Sequence, residues 1–286
     1  MEKKFFDKPT IYVGEVSINV TDLKRSIEFY RDFLGFKILD EAANQVVLTA
    51  DGKKPLLTLV QPEGVAPKEA RTTGLYHFAI LLPTRSDLAA ILKHLAEKTD
   101  GKIRLGASDH YVSEALYFDD PDGNGIEIAR DRDSSEWEWS GETVSMASVA
   151  LDAQGLMASM KAPWQGMPED TLMGHIHLHV ADIEEARNFY VNGMGMDIVT
   201  DMTSALFASY GGYHHHIGMN VWNGQGAPKP SENSAGLNWY TLVFPDVAKR
   251  DETLEKVRAL GAPVKEFEED YLVEDPAGNS IRFVIG

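Results

Sequence analysis

Apolar and polar residues alternate through residues 14–20 (GEVSINV) and again through 174–180 (GHIHLHV). A period of two marks strands that turn one face to a core. An Asp follows each strand, Asp22 or Asp182, where it can cap a helix. Apolar positions then recur at helical spacing, Ile27 and Tyr30 in one copy and Ala186 and Phe189 in the other. Gly35 or Gly195 supplies the left-handed residue that ends such a helix. The stretches 14–40 and 174–200 align without a gap, which makes them repeats. The aromatic pairs Phe29/Tyr30 and Phe189/Tyr190 in them read as core.

A second pair of strands begins at 74–83 (GLYHFAILLP) and 236–245 (GLNWYTLVFP), each followed by a helical stretch, 86–98 and 247–260. Each later reaches an Asp-Pro turn and a last strand, DDPDGNGIEIA at 119–129 and EDPAGNSIRFV at 274–284. Pro followed by x-Gly-Asn is turn chemistry, because Gly and Asn tolerate positive φ. The pattern predicts an α+β chain of four βαβββ modules: 10–62 and 73–132 within residues 1–132, then 172–224 and 235–286 within 172–286. Residues 133–171 form a crossover whose Trp137, Trp139 and Trp164 are expected to anchor packing. The Gly/Pro/Ser/Asn stretch 223–235 reads as a connecting loop.

Composition narrows the partners. Twenty-seven Lys and Arg against 44 Asp and Glu give a formal charge of −17, which repels nucleic acid and anionic membranes. With no cysteine, disulfides, thiolate metal sites and thiol nucleophiles are excluded. The N-terminus has no apolar signal region and no apolar run reaches membrane-spanning length. The expectation is a cytoplasmic protein acting on a small molecule; a homo-oligomer is possible.

Several residues are candidates for chemistry. His77 in LYHFAIL would alone be an ordinary buried histidine, but Glu127 in GIEIA is a carboxylate in an apolar strand, costly without a partner. His175, His177 and His179 share a strand face, with successive ones roughly 6.6 Å apart, so one ion will not take all three. His177 and His179 are expected to line a cavity or bond within the core. Two runs stand out: HYVSEALYFDDPDGNGIE at 110–127 and GGYHHHIGMNVW at 211–222.

The modules and these runs resemble the vicinal oxygen chelate superfamily, which includes glyoxalase I, bleomycin-resistance proteins and extradiol dioxygenases. The resemblance implies two cupped, partly closed β-barrels, each built from two modules, with metal ligands on their first and last strands. The first-strand position falls on Glu15, His77, His175 and Trp239. The last-strand position, six residues beyond the Asp-Pro proline, falls on Glu127 and Arg282. Trp239 and Arg282 cannot ligate a metal, which leaves His77, Glu127 and His175. Two His and one carboxylate leave open positions on Fe(II), as dioxygen chemistry requires, although Mn(II) accepts the same set.

Extradiol dioxygenases carry a motif that here takes His110, Leu116, Tyr117, Asp120, Pro121, Gly123 and Glu127, departing only at Ser108. By resemblance, His110 and Tyr117 would contact the oxygens of a small aromatic diol. His216 would be the acid–base residue, its imidazole suited to proton transfer near neutrality. Its neighbour His214 is expected on the same strand face. The resemblance also implies O₂ as co-substrate and meta-cleavage of a catechol-like ring, with cleavage of a hydroquinone-type ring as a variant. One departure concerns topology: the family's ligands come from modules three and four, and here they come from two and three. For His175 to join the site, modules two and three must close one barrel and modules one and four the other. Pairing one with two instead would use Glu15, His77 and Glu127, a carboxylate-rich set nearer to glyoxalase. A glyoxalase-like isomerase or thiol transferase would want a fourth ligand, for which His216 is the candidate. A binding protein without chemistry would need no triad.

Overall fold

The computed structural model describes residues 2–99 and 103–286; Met1 and residues 100–102, inside module two, lie outside it. Module one supplies β1 (Tyr12–Asn19), α1 (Leu23–Ile27), β2 (Lys37–Ala42), β3 (Gln45–Thr49) and β4 (Leu57–Val60). Module two follows with β5 (Gly74–Leu81), α2 (Arg85–Lys98), β6 (Gly106–Asp109), β7 (Ser113–Asp119) and β8 (Gly125–Asp131). The crossover holds a small hairpin, β9 (Trp139–Ser140) and β10 (Thr143–Val144), and α3 (Ala153–Ala158). Module three contains β11 (Leu172–His179), α4 (Ile183–Arg187), β12 (Asp197–Met202), β13 (Ala205–Ser209) and β14 (Ile217–Asn220). Module four has β15 (Gly236–Phe244), α5 (Val247–Ala259), β16 (Val264–Phe267), β17 (Asp270–Glu274) and β18 (Ser280–Ile285).

The local signals act as their chemistry requires. Asp22 and Asp182 accept backbone N–H groups at the first turns of α1 and α4, and Gly35 and Gly195 take φ of 90° and 76° beyond the helices. Both helices finish in a widened π turn, Glu28–Phe33 and Asn188–Gly193. From these turns Tyr30 donates to Asp120 at 2.9 Å, and Tyr190 donates to Asp275 at 2.8 Å. Both acceptors are the Asp of an Asp-Pro turn. Each also accepts backbone N–H bonds that close its own turn, from Asn124 and Asn279. The helix of one module is thereby fastened to the turn of the next.

Two eight-stranded sheets result. One runs β16-β17-β18-β15-β1-β4-β3-β2 and the other β12-β13-β14-β11-β5-β8-β7-β6. Modules one and four therefore share a sheet, and modules two and three share the other, the pairing that brings His175 beside His77. The joining strands are antiparallel, β1 with β15 and β5 with β11. Residues of all four modules meet in one apolar core, which includes Ile18, Ile80, Ile176 and Leu242. A second cluster holds Phe5, Phe6, Trp137 and Tyr213. Among the described residues no helix is long and apolar enough to cross a membrane.

The crossover tryptophans behave differently from one another. Trp137 is buried and Trp164 bonds the Leu34 carbonyl, but the Trp139 side chain is exposed. The loop after β14 is tied down by Asn223 to Thr72 and by Gly226 to Ala181, as a connection would be.

Candidate metal centre

The register across three strands builds the site. β11 sets His175 opposite Ala79 and His177 opposite His77, while β8 sets Glu127 beside Ala79 and Gly125 beside His77. His77 and Ala79 are two apart on β5 and so face the same side. One row across the sheet reads His175, Ala79, Glu127. The small residue in the middle lets the two outer side chains lean together. A Cβ on Gly125 would fall 2.1 Å from the Tyr76 carbonyl, so only glycine lets β8 lie this close to β5.

The three candidate ligand atoms form a near-equilateral triangle. His77 Nε2 lies 3.0 Å from Glu127 Oε2, His175 Nε2 lies 3.2 Å from the same oxygen, and the two nitrogens are 3.3 Å apart. Metal bonds of about 2.1 Å at right angles place neighbouring ligand atoms about 3.0 Å apart, so the triangle suits one face of an octahedral ion. All three residues are buried, and among the described residues they are the one such grouping of metal-binding side chains. Burial opposes the charge of Glu127, but the His175 and His77 imidazoles hold its carboxyl well below the usual carboxylate range. Burial likewise lowers His77, which favours the neutral imidazole a metal needs. Three converging bases, with no Lys or Arg among the described residues of the same cavity wall, call for a cation.

The triangle opens into a cavity of about 490 Å³. Tyr117 lies opposite Glu127 in the β7–β8 register, and its hydroxyl is 2.6 Å from His110 Nε2. His110 Nδ1 donates to the Ala147 carbonyl at 2.6 Å, so Nε2 is the acceptor and Tyr117 the donor. Burial and the Glu127 charge hold the phenol well above its ordinary range, which keeps it a donor. The crossover thus does more than connect: Met146, Ala147 and Ser148 form part of the cavity wall.

His216 does not meet the site. Its Nε2 donates to the Phe5 carbonyl at 3.1 Å, and its Nδ1 accepts the Tyr210 N–H at 3.2 Å. With both nitrogens engaged and no exposure, burial lowers its pKa to about 3. The residue in the cavity is His215, whose ring centroid lies 4.1 Å from that of His175. Burial, with His175 and His214 nearby, holds His215 neutral. Residues 214–216 precede β14 rather than belong to it, so strand alternation does not order them, and His214 turns instead to Asp131. Consecutive Gly211 and Gly212, with φ of 65° and 73°, set the loop that makes this choice. His215 was obscured in the sequence because three adjacent histidines contain two possible pairs. Ala79 gave a readable signal, the position two beyond His77 on one strand face.

His177 lines the cavity and bonds the Asn220 amide at 2.9 Å, while His179 bonds the same side chain at 2.8 Å from partly buried ground. Glu15 is in the other sheet, bonded to Thr58, and takes no part in the triangle. Around it Arg282 lies over Trp239 and Phe267 and pairs with Glu268 and Asp270. The alternative set of Glu15, His77 and Glu127 is therefore not assembled.

The sequence matches the Glyoxalase/Bleomycin resistance protein/Dioxygenase superfamily over residues 12–128 and 172–283. It is 44% identical to the catechol-2,3-dioxygenase of Bacillus subtilis (strain 168), over 96% of this chain and 97% of that protein. It is 31% identical to biphenyl-2,3-diol 1,2-dioxygenase 3 of Rhodococcus globerulus, over 40% of this chain and 60% of that one. In structure it resembles glyoxalase I from Zea mays, with a TM-score of 0.58 and 16% identity, covering 96% of this chain and 92% of that one. The chain belongs to the glyoxalase, bleomycin resistance protein and dioxygenase superfamily.

Proposed function

We propose that the protein is an extradiol dioxygenase that cleaves an uncharged catechol-type ring at one Fe(II) held by His77, Glu127 and His175. The observation that carries this reading is the buried triangle of three ligand atoms opening onto a cavity that also holds His215 and the His110–Tyr117 pair. Likeness to the Bacillus subtilis catechol-2,3-dioxygenase along nearly the whole chain supports it. His77, Glu127 and His175 would hold the ion, and the chemistry it would supply is activation of a vicinal diol and of O₂. The neutral His215 accepts a diol proton on the ring nitrogen that faces the cavity, then returns it as the ring opens. Tyr117, its own proton given to His110, offers its oxygen as an acceptor to a substrate hydroxyl. Met146, Phe207 and Trp222 give the ring apolar walls.

The wall also bears on the substrate. An apolar cavity of about 150 Å³ admits benzene, so about 490 Å³ leaves room for a ring substituent. Among the described residues its lining contains no Lys or Arg, so a carboxylate on the ring would find no cationic partner there. Apolar substituents fit and carboxylated diols do not. His216, turned away to Phe5, also cannot be the fourth ligand a glyoxalase-like centre wants.

Anaerobic loading with Fe(II), followed by catechol and air, should give a yellow ring-opened product. Alkyl- or aryl-catechols should be turned over at least as well, and carboxylated ones poorly. No colour with catechol, substituted catechols or hydroquinone, together with retained zinc or nickel, would sink the proposal.

A further inference from the structure

Asp131 stands four residues beyond Glu127 on β8, so the two side chains leave the same face of the strand. Glu127 reaches the metal triangle, while Asp131 receives two donors from the loop before β14. The Tyr213 hydroxyl meets its Oδ2 at 2.9 Å, and His214 Nε2 meets its Oδ1 at 3.0 Å. His214 is buried, and its other nitrogen, Nδ1, lies 2.9 Å from Nδ1 of His215.

Proton accounting along this chain has one solution for neutral rings. A carboxylate only accepts, so the His214 proton is on Nε2. His214 Nδ1 is then a bare acceptor, and the proton between the rings belongs to His215 Nδ1. A neutral imidazole holds a single N–H, which leaves His215 Nε2 with a free lone pair. The packing keeps this series in register. Tyr213 lies over His214 with centroids 4.1 Å apart, Trp137 meets the same ring at 5.1 Å, and Phe5 and Phe6 close on Tyr213 at 5.2 and 5.0 Å.

We infer that Asp131 and His214 are positioning residues which, through two hydrogen bonds in series, fix the tautomer of His215 so that it offers the bound diol an acceptor. The inference rests on the proposed role of His215 in ring cleavage. It adds a requirement that the metal triangle does not impose, since Asp131 and His214 touch neither metal nor substrate. A doubly protonated His214 would reverse the arrangement. It would donate from both nitrogens, move the His215 proton to Nε2 and turn an acceptor into a donor.

Nitrogen-15 NMR of the metal-free, histidine-labelled protein reads the tautomers directly, whatever the enzyme turns over. The wild-type His215 Nε2 should be unprotonated. In Asp131→Asn the uncharged amide releases the preference, and a measurable fraction of His215 should move to the Nε2–H form. With Fe(II) loaded, kcat of that variant should fall about 10–100-fold, with KM and bound iron unchanged. A wild-type His215 protonated on Nε2 overturns the inference even if the variant folds poorly. So does an Asp131→Asn protein with an unchanged tautomer, whatever its rate, or with a shifted tautomer and an unchanged kcat. Wild-type protein that cleaves no diol would instead defeat the proposed function, and the metal-free spectrum would still decide the tautomer.

Discussion

His215 and His216 are adjacent in sequence and both buried, but their ring nitrogens meet different partners. One faces the cavity against His175, and the other is enclosed with both ring nitrogens bonded to backbone. Substitution should separate them. His215→Asn should lower kcat by about 10²–10⁴-fold, the range for a lost acid–base group, with iron content retained. His216→Asn should keep its kcat per folded molecule but lose about 1–3 kcal/mol of stability, because the Phe5 carbonyl loses its partner. Steady-state rates beside urea midpoints would show the contrast, and equal rate losses in both variants would refute it. The pH dependence follows from the same burial. Folded His216 is held at about 3, whereas the unfolded chain titrates near 6.5. Its contribution is complete above about 6.5. It is lost as pH falls from there toward 3, by about 1.4 kcal/mol for each pH unit, because the unfolded chain takes up the proton. Urea midpoints of the metal-free protein between pH 7 and 4 should fall less steeply in His216→Asn.

At the scale of elements, the site is a property of three strands in register. The row His175, Ala79, Glu127 works because its middle member is small. Ala79→Leu would drive a branched side chain between two ligands that must come within 3.2 Å. The protein should still fold, at an overpacking cost of about 1–3 kcal/mol, but bind at least tenfold less iron. Metal analysis with a circular-dichroism melt would measure both, and full iron occupancy would remove Ala79 from the site. The Asp-Pro turns show how one motif can serve two ends. Asp120, which the sequence places in a run ending at a ligand, closes the turn and accepts Tyr30, whereas Glu127, seven residues on, reaches the triangle.

At the scale of the molecule, each sheet draws one module from each end of the chain. β1 pairs with β15 across more than 200 residues of sequence, and β5 pairs with β11 across the crossover. Neither half of the chain can therefore complete a sheet alone, and each would expose the long edge of a central strand. Residues 1–150 or 151–286 expressed singly should lack a cooperative unfolding transition. The two expressed together should associate and regain metal binding at the triangle. Cooperative folding of either piece by itself, followed by calorimetry, would contradict this.

What could be read from the chain and what could not divide along the same lines. Period-two alternation, the capping Asp22 and Asp182, and the Asp-Pro turns are local, because a residue's backbone preference and its near neighbours decide them. They determined the four modules, and the resemblance of those modules to the vicinal oxygen chelate superfamily implied His77, Glu127 and His175. The pairing of modules followed only because a chemical demand, two histidines on one ion, selected among topologies. The choice between His215 and His216 had no such guide. It was settled by the left-handed turn at Gly211 and Gly212, by the Phe5 carbonyl and by Asp131, which approach that loop from distant parts of the sequence. Side-chain direction in a loop is set by whatever packs against it, so only the tertiary structure could decide which imidazole faces the cavity.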